Sequence, residues 1–263
     1  MARVILLLLL CAASARAQDA DSARRDVVDI GVGVCAPVIY DESFSLVRQQ
    51  GRGPALVLAY LHSKERSIHV FENNLCLSRF RSDVPDRSYA LSGTHLQERF
   101  AYRYLRTHRI GQLAVSSGPS VAIDFVQIRP EGLVINNAPL HDLNIQLQLA
   151  ARVAYPIDLL KRRFKIAYQL DVPVVGYNSR PDYLGFVEFS GKSRYFNKAG
   201  RYVVVNRDYV YVKNSVQVDV NADKTNHVSV NVGYYYARNN LSRPYKNLSG
   251  SVAVTYSRMF TRR

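Results

Sequence analysis

The feature that most constrains this chain is strict alternation of apolar and polar residues, held over segments far longer than an ordinary strand. From Leu143 to Tyr155, the residues Leu143, Ile145, Leu147, Leu149, Ala151, Val153 and Tyr155 alternate with Asn144, Gln146, Gln148, Ala150, Arg152 and Ala154. A period of two puts successive side chains on opposite faces of a β-strand. One face is therefore wholly apolar, and the other is amide, small or cationic. The scheme recurs with Phe164, Ile166, Tyr168, Leu170, Val172 and Val174 against Lys165, Ala167, Gln169 and Asp171. It recurs again with Val210, Val212, Val216, Val218 and Val220 against Tyr209, Tyr211, Lys213, Ser215, Gln217 and Asp219. Further examples are Val228, Val230, Val232, Tyr234 and Tyr236 against His227, Ser229, Asn231 and Tyr235, and Leu248, Val252, Val254, Tyr256 and Phe260 against Ser249, Ser251, Ala253, Thr255 and Ser257. Earlier in the chain, Leu113, Val115, Val121, Ile123 and Phe125 oppose Gln112, Ser116, Ser120 and Asp124.

Strand length decides between two folds that share this pattern. A soluble sandwich or lipocalin-like barrel uses strands of roughly 5 or 6 residues with the apolar face inward. The alternating segments here run roughly 11 to 14 residues, enough to cross a bilayer at a tilt. Their polar faces, rich in amides and small residues, suit a crowded lumen better than a solvated surface. Beyond the N-terminal leader, no stretch approaches the roughly 18 consecutive apolar residues of a spanning helix. Membrane crossing is therefore by strands, which must close because lipid offers no partner to an unpaired backbone group.

The reading is all-β: a closed, antiparallel, up-and-down transmembrane β-barrel. Ten strands are expected near 27–35, 54–62, 67–80, 93–106, 111–126, 143–155, 163–175, 208–220, 226–238 and 248–260. Connections at 63–66, 107–110, 156–162 and 221–225 are short, and those at 36–53, 81–92, 127–142, 176–207 and 239–247 are long. Outer-membrane barrels have short periplasmic turns and long outer loops, which places both termini in the periplasm. Residues 183–205 contain two further β-prone runs, and the count becomes twelve if that hairpin joins the wall.

Arg3, the apolar run Val4 to Leu10 and the small-residue pattern Ala15-Arg16-Ala17 form a secretory signal peptide over 1–17, leaving 18–263 as one domain. Its removal takes Arg3 and Arg16 away and lowers the net charge from +14 to +12. Cys35 and Cys76 remain in a chain bound for an oxidising compartment, where a disulfide between them is possible.

The run Arg163-Phe164-Lys165-Ile166-Ala167-Tyr168-Gln169-Leu170-Asp171-Val172-Pro173-Val174-Val175-Gly176 resembles a segment of small outer-membrane β-barrel proteins of unknown function from Bacteroidetes. The order of features across most of the remaining chain is similar. That resemblance implies a fold and a location, and it carries no catalytic residues. Phe260, after Val252, Val254 and Tyr256, resembles the C-terminal signal read by the barrel-assembly machinery, though Thr261-Arg262-Arg263 follow it.

The polar faces define the candidate lumen. They carry Asp29, Asp124, Asp171 and Asp219 with Arg99, Arg103, Arg152, Lys165 and Lys213, plus Gln97, Gln112, Gln146, Gln148, Gln169 and Gln217. Acids and bases nearly balance, so the set is expected to pair and fill a narrow or plugged barrel rather than select one sign of ion. Arg48, Arg52, Arg81, Arg87 and Arg180, with Arg194, Arg238 and Arg243, fall on the expected outer loops, where guanidinium groups meet lipopolysaccharide phosphates. Scattered in this way, without a recognition motif, they do not point to nucleic acid. No zinc-ligand spacing or phosphate-binding glycine loop occurs, and no cofactor is expected. The alternative is an outer-membrane lipid hydrolase or deacylase. It would use His227 and Ser229 on one strand face. An omptin-like protease would instead need paired acids and a histidine at the outer rim, where Asp83, Asp86, His141 and Asp142 fall.

Overall fold

Ten long strands grow out of the alternating segments, and most run well past them. In the computed structural model, the described residues are 25–41, 45–64, 66–82, 92–131, 140–159, 162–179, 201–204, 209–221, 225–239 and 245–261. The expected leader at 1–17 lies outside them. The strands are β1 (Arg25–Asp41), β2 (Ser45–Lys64), β3 (Ser67–Ser82), β4 (Ser92–Ile110), β5 (Leu113–Glu131), β6 (Leu140–Leu159), β7 (Arg162–Ser179), β8 (Arg201–Val204), β9 (Tyr209–Asn221), β10 (Asn226–Asn239) and β11 (Tyr245–Thr261). Each pairs antiparallel with its neighbours, and β1 pairs with β11 from Arg25↔Thr261 to Asp41↔Tyr245, which closes the ring.

The short β8 does not add to the count. It pairs with Val175–Asn178 of β7, on the edge that β9 pairs with further down at Phe164–Asp171. It therefore caps that seam, and the closed wall has ten strands rather than twelve. Residues 183–200 of the expected hairpin lie outside the described residues.

The turn between β4 and β5 is only Gly111 and Gln112, and it needs a glycine because Gly111 has φ of 60°. Gln112, expected in the lumen, is exposed in this turn instead, since β5 begins only at Leu113.

The expected connection 36–53 is mostly strand: β1 runs to Asp41 and β2 starts at Ser45. The reason is an inversion of phase. Along the wall nearer the short turns, apolar residues face out, with Val28, Ile30, Val32 and Val34 on β1, Val228, Val230 and Val232 on β10, and Val252, Val254 and Tyr256 on β11, all exposed. Toward the long loops the sign reverses. Ile39, Phe80, Val126, Ile128, Tyr211, Tyr235, Ala237 and Tyr245 form a buried cluster inside, while Arg48, Arg52, Arg79, Arg81 and Arg129 are exposed outside. A barrel whose lower wall is apolar outward suits lipid, and one whose upper wall is polar outward suits water.

The outer face at the turn end carries an aromatic collar. Phe71 and Tyr102 lie 4.8 Å apart, Tyr104 meets His69 edge-on at 5.1 Å, and His69 Nδ1 shares a 2.9 Å hydrogen bond with the Tyr102 hydroxyl. Asp26 accepts from the Tyr60 hydroxyl at 2.7 Å and contacts His62 Nδ1 at 2.7 Å. Amphipathic rings of this kind sit at headgroup depth.

Cys35 of β1 and Cys76 of β3 form a disulfide across the intervening β2. Strands two apart are normally separated by roughly 9.5 Å, yet these Cα atoms are 6.0 Å apart. The sheet folds sharply inward there. Gly53 and Pro54 drop out of the ladder with β3, between Arg52↔Arg79 and Ala55↔Cys76. A Cβ on Gly53 would stand 1.8 Å from the Leu77 carbonyl oxygen, so only glycine fits the fold line.

The bridge spans a sequence separation of 41, for which loop-closure entropy gives about 4 kcal/mol. Reduction, or Cys76→Ala, is expected to lower the temperature at which the barrel loses its fast-migrating folded band on a gel. Equal midpoints with and without reductant would refute a stabilising bridge.

Candidate functional site

The lumen is built by the inward face of every long strand, and small residues make room in it for long ones. Ala101 lies between Arg99 and Arg103 on β4, Ala122 beside Asp124 on β5, and Ala150 beside Gln148 on β6, each of them buried.

At mid-height six charged side chains meet. Arg103 forks onto Asp171, with Nε donating to Oδ1 at 3.0 Å and Nη2 to Oδ2 at 2.6 Å, and Nη1 donates to Glu72 Oε2 at 2.7 Å. Arg99 Nη1 donates to both oxygens of Asp124 at 3.0 Å, and its Nη2 donates to Gln148 Oε1 at 3.1 Å while standing 3.7 Å from Asp171. Lys213 and Asn74 both donate to Glu72 Oε1, and Gln169 donates to Asp171 Oδ1 at 2.8 Å. Three cations face three carboxylates. The bonds cross the lumen, from β4 to β7 and from β9 to β3. Asp124 and Asp171 are 0% exposed and Arg103 is 1% exposed, while the Glu72 and Lys213 side chains keep 18% and 14% of their surface.

Removing ions from water is costly unless each is paired and its remaining hydrogen-bonding capacity is met. Bidentate guanidinium–carboxylate contacts meet that requirement best.

Two further tiers flank this cluster. Toward the turn end, Arg152 Nη2 donates to Gln217 Oε1 at 3.2 Å, Gln217 Nε2 donates to Ser229 Oγ at 3.4 Å, and Lys165 Nζ stands 3.9 Å from Asp219. Asp29 lies in this tier as well, with Ser257 as its cross-strand neighbour. Toward the loop end, Asn178 Nδ2 donates to Asp142 Oδ1 at 2.8 Å, Asn144 Nδ2 to the same oxygen at 3.1 Å, and Gln148 Nε2 to Gln146 Oε1 at 2.6 Å.

The structure thus brings Arg99, Arg103, Asp124, Asp171 and Lys213 into one cluster, and puts Asp29, Arg152, Lys165 and Asp219 in the tier nearer the turns. Sequence reasoning missed Glu72, which joins Arg103 to Lys213. It also missed Asn178. A β-bulge lies between Leu147 and Gln148 where β6 faces Pro173 and Val175, and the extra residue turns the following side chains to the opposite face. Pro173, which cannot donate to the ladder, sits at that irregularity. The only available signal was this proline inside an otherwise alternating run.

No hydrogen bond joins His227 to Ser229 among the described residues. Ser229 is engaged by Gln217, and His227 Nδ1 is buried with no hydrogen-bond partner among the described residues. His141 and Asp142 are consecutive in β6 and point to opposite faces: His141 stacks on Phe125 at 5.8 Å, while Asp142 faces inward. Asp83 and Asp86 lie outside the described residues, as do Arg87, Arg180, Arg194 and Arg243. Arg48, Arg52 and Arg81 are exposed on strands rather than on loops. Among the described residues no group of three or more His, Cys, Asp or Glu could hold a metal ion.

Arg103→Met removes the main partner of Asp171 and one of the partners of Glu72, and is expected to cost about 3–5 kcal/mol. The chain lacks tryptophan, so far-UV circular dichroism in urea is the measurement. An unchanged midpoint would show that the cluster does not hold the wall together.

No protein-family model matches the chain, and no curated protein matches it. Among solved structures, the outer membrane protease OmpT of Escherichia coli is similar with a TM-score of 0.54, over 93% of this chain and 99% of that one, at 6% identity. An outer membrane channel of Pseudomonas putida F1 has a TM-score of 0.37 over 93% and 98% of the two chains at 10% identity, and the attachment invasion locus protein Ail of Yersinia pestis 0.27 over 88% and 97% at 7%. At 6% identity the first likeness is one of fold alone. The chain is a closed, ten-strand antiparallel barrel of the kind found in outer-membrane proteins.

Proposed function

We propose that this protein is an outer-membrane barrel of a Gram-negative cell whose narrow lumen is closed by its own ion pairs and which acts structurally, a small pore being the reading that a conducting lumen would support instead. The observation that carries the reading is the charge-balanced cluster of buried Arg99, Arg103, Asp124 and Asp171 with part-buried Glu72 and Lys213, which crosses the lumen from wall to wall. A porin that selects ions lines its constriction with an excess of one sign and keeps water there. This cluster balances its charges, and its Asp124, Asp171 and Arg103 are shielded from water. The apolar lower wall supports residence in lipid, and the inverted upper wall supports exposure of the long-loop end to water outside the cell. The termini and short turns then face the periplasm.

On this reading residues 1–17 are a cleaved signal peptide, and Phe260 helps the barrel-assembly machinery recognise the chain. The resemblance to Bacteroidetes barrels of unknown function belongs to the same proposal. Lipid hydrolysis remains the alternative, resting on His227 and Ser229.

The mature protein, refolded into a planar bilayer, is expected to give no discrete conductance. The double variant Arg103→Ala, Asp171→Ala should open measurable steps, provided it keeps its folded gel mobility. Stable unitary currents from the unaltered protein would overturn the closed lumen. Phospholipid or lipid A hydrolysis that vanished with either His227→Ala or Ser229→Ala would favour the enzymatic alternative.

A further inference from the structure

The loop-end exterior of β2 and β3 carries four exposed arginines: Arg48 and Arg52 on one strand, and Arg79 and Arg81 on the other. Arg52 and Arg79 are direct cross-strand partners, and Arg81 pairs with Gln50, which lies midway between Arg48 and Arg52 on the outward face. Like charges directly opposite each other on one face destabilise a sheet. Among the described residues no carboxylate forms an ion pair with any of the four. The acids that do pair serve the lumen or the turn-end collar. The row continues beyond β3, where Arg79 faces Thr94 of β4, and Thr94 faces the exposed Arg129 of β5.

Position gives the cluster its meaning. The same outward face turns apolar immediately toward the turn end, with Pro54 and Leu58 on β2 and Leu77 on β3 exposed. The cations therefore stand at the edge of the apolar wall, where a headgroup is joined to its acyl chains. An anion held there is attached to hydrocarbon. Several guanidinium groups within reach of one another suit a headgroup carrying more than one phosphate, since each can bind two phosphate oxygens at once. We infer that Arg48, Arg52, Arg79 and Arg81 form a docking site for a multiply phosphorylated glycolipid of the surrounding leaflet, with its acyl chains lying over Leu58 and Leu77. The inference rests on the outer-membrane reading.

The test uses the refolded protein in neutral phosphatidylcholine vesicles, with or without diphosphoryl lipid A as the probe. Binding is read as lipid A retained per barrel after detergent extraction, and as a shift in the unfolding temperature of the folded gel band. The unaltered protein is expected to retain lipid A saturably and to unfold at a higher temperature with it. Arg52→Gln with Arg79→Gln should weaken binding at least tenfold, while Arg66→Gln with Arg109→Gln, exposed cations at the turn end, should leave it unchanged. Equal retention by both double variants would overturn the site. So would an equal effect of phosphate-free lipid A, or reproduction of the shift by inorganic phosphate alone. Failure of the unaltered barrel to insert would overturn the outer-membrane reading and this site together, whereas insertion without retention would overturn the site alone.

Discussion

The pairing of β1 with β11 is the constraint on which everything else depends. A sheet in hydrocarbon with one open edge would leave a row of backbone donors and acceptors without partners, at several kcal/mol each. Closing ten strands removes the edge but fixes the interior. Ten strands enclose a lumen narrow enough for side chains to reach across it, as Arg103 reaches Asp171. The inward face must therefore be filled, and its residue types decide how.

Filling is done differently on the two storeys of the wall. In the storey nearer the turns the outside is apolar and the inside is ionic, with Arg103 and Asp171 bound across the lumen. In the storey nearer the loops the inside mixes an apolar cluster of Ile39, Phe80, Val126, Ile128, Tyr211 and Tyr245 with the polar tier of Asp142, Asn144 and Asn178. The Cys35–Cys76 bridge clamps β1 to β3 over β2, where the wall is folded sharply inward. The strands run continuously through both storeys, so the change of surroundings is written only in which face each residue type occupies.

That inversion explains what could and could not be read from the sequence. Segments with one unbroken phase, such as Leu143 to Tyr155, revealed both the strand and its lumen face. Where the phase reverses, as between Phe125 facing out and Val126 facing in, the alternation breaks as it would at a strand end, which is why the outer parts of β1 and β2 fall within the expected connection 36–53. Glu72 was hidden because β3 carries apolar residues on both faces, Val70, Cys76 and Phe80 inside and Phe71, Leu75 and Leu77 outside, with Asn73 outside donating to Glu98. No alternation survives such mixing. Asn178 was hidden by a bulge, which no period detects. The disulfide needed the register of three strands, and pattern alone does not supply it.

The ionic filling follows from what strand chemistry allows. An inward face of leucine and valine beneath an outward face of the same would make each strand a continuous apolar run, and spans of roughly 18 such residues are treated as helices by membrane-insertion machinery. Alternation keeps every strand below that threshold while still presenting an apolar wall to lipid. Polar residues inside are thus the physical counterpart of apolar residues outside. Once inside, they must satisfy one another, because a half-paired network is worse than an apolar core. Three cations against three carboxylates, with Gln148, Gln169 and Asn74 taking up spare hydrogen-bonding capacity, is one way for an inward polar face to satisfy itself.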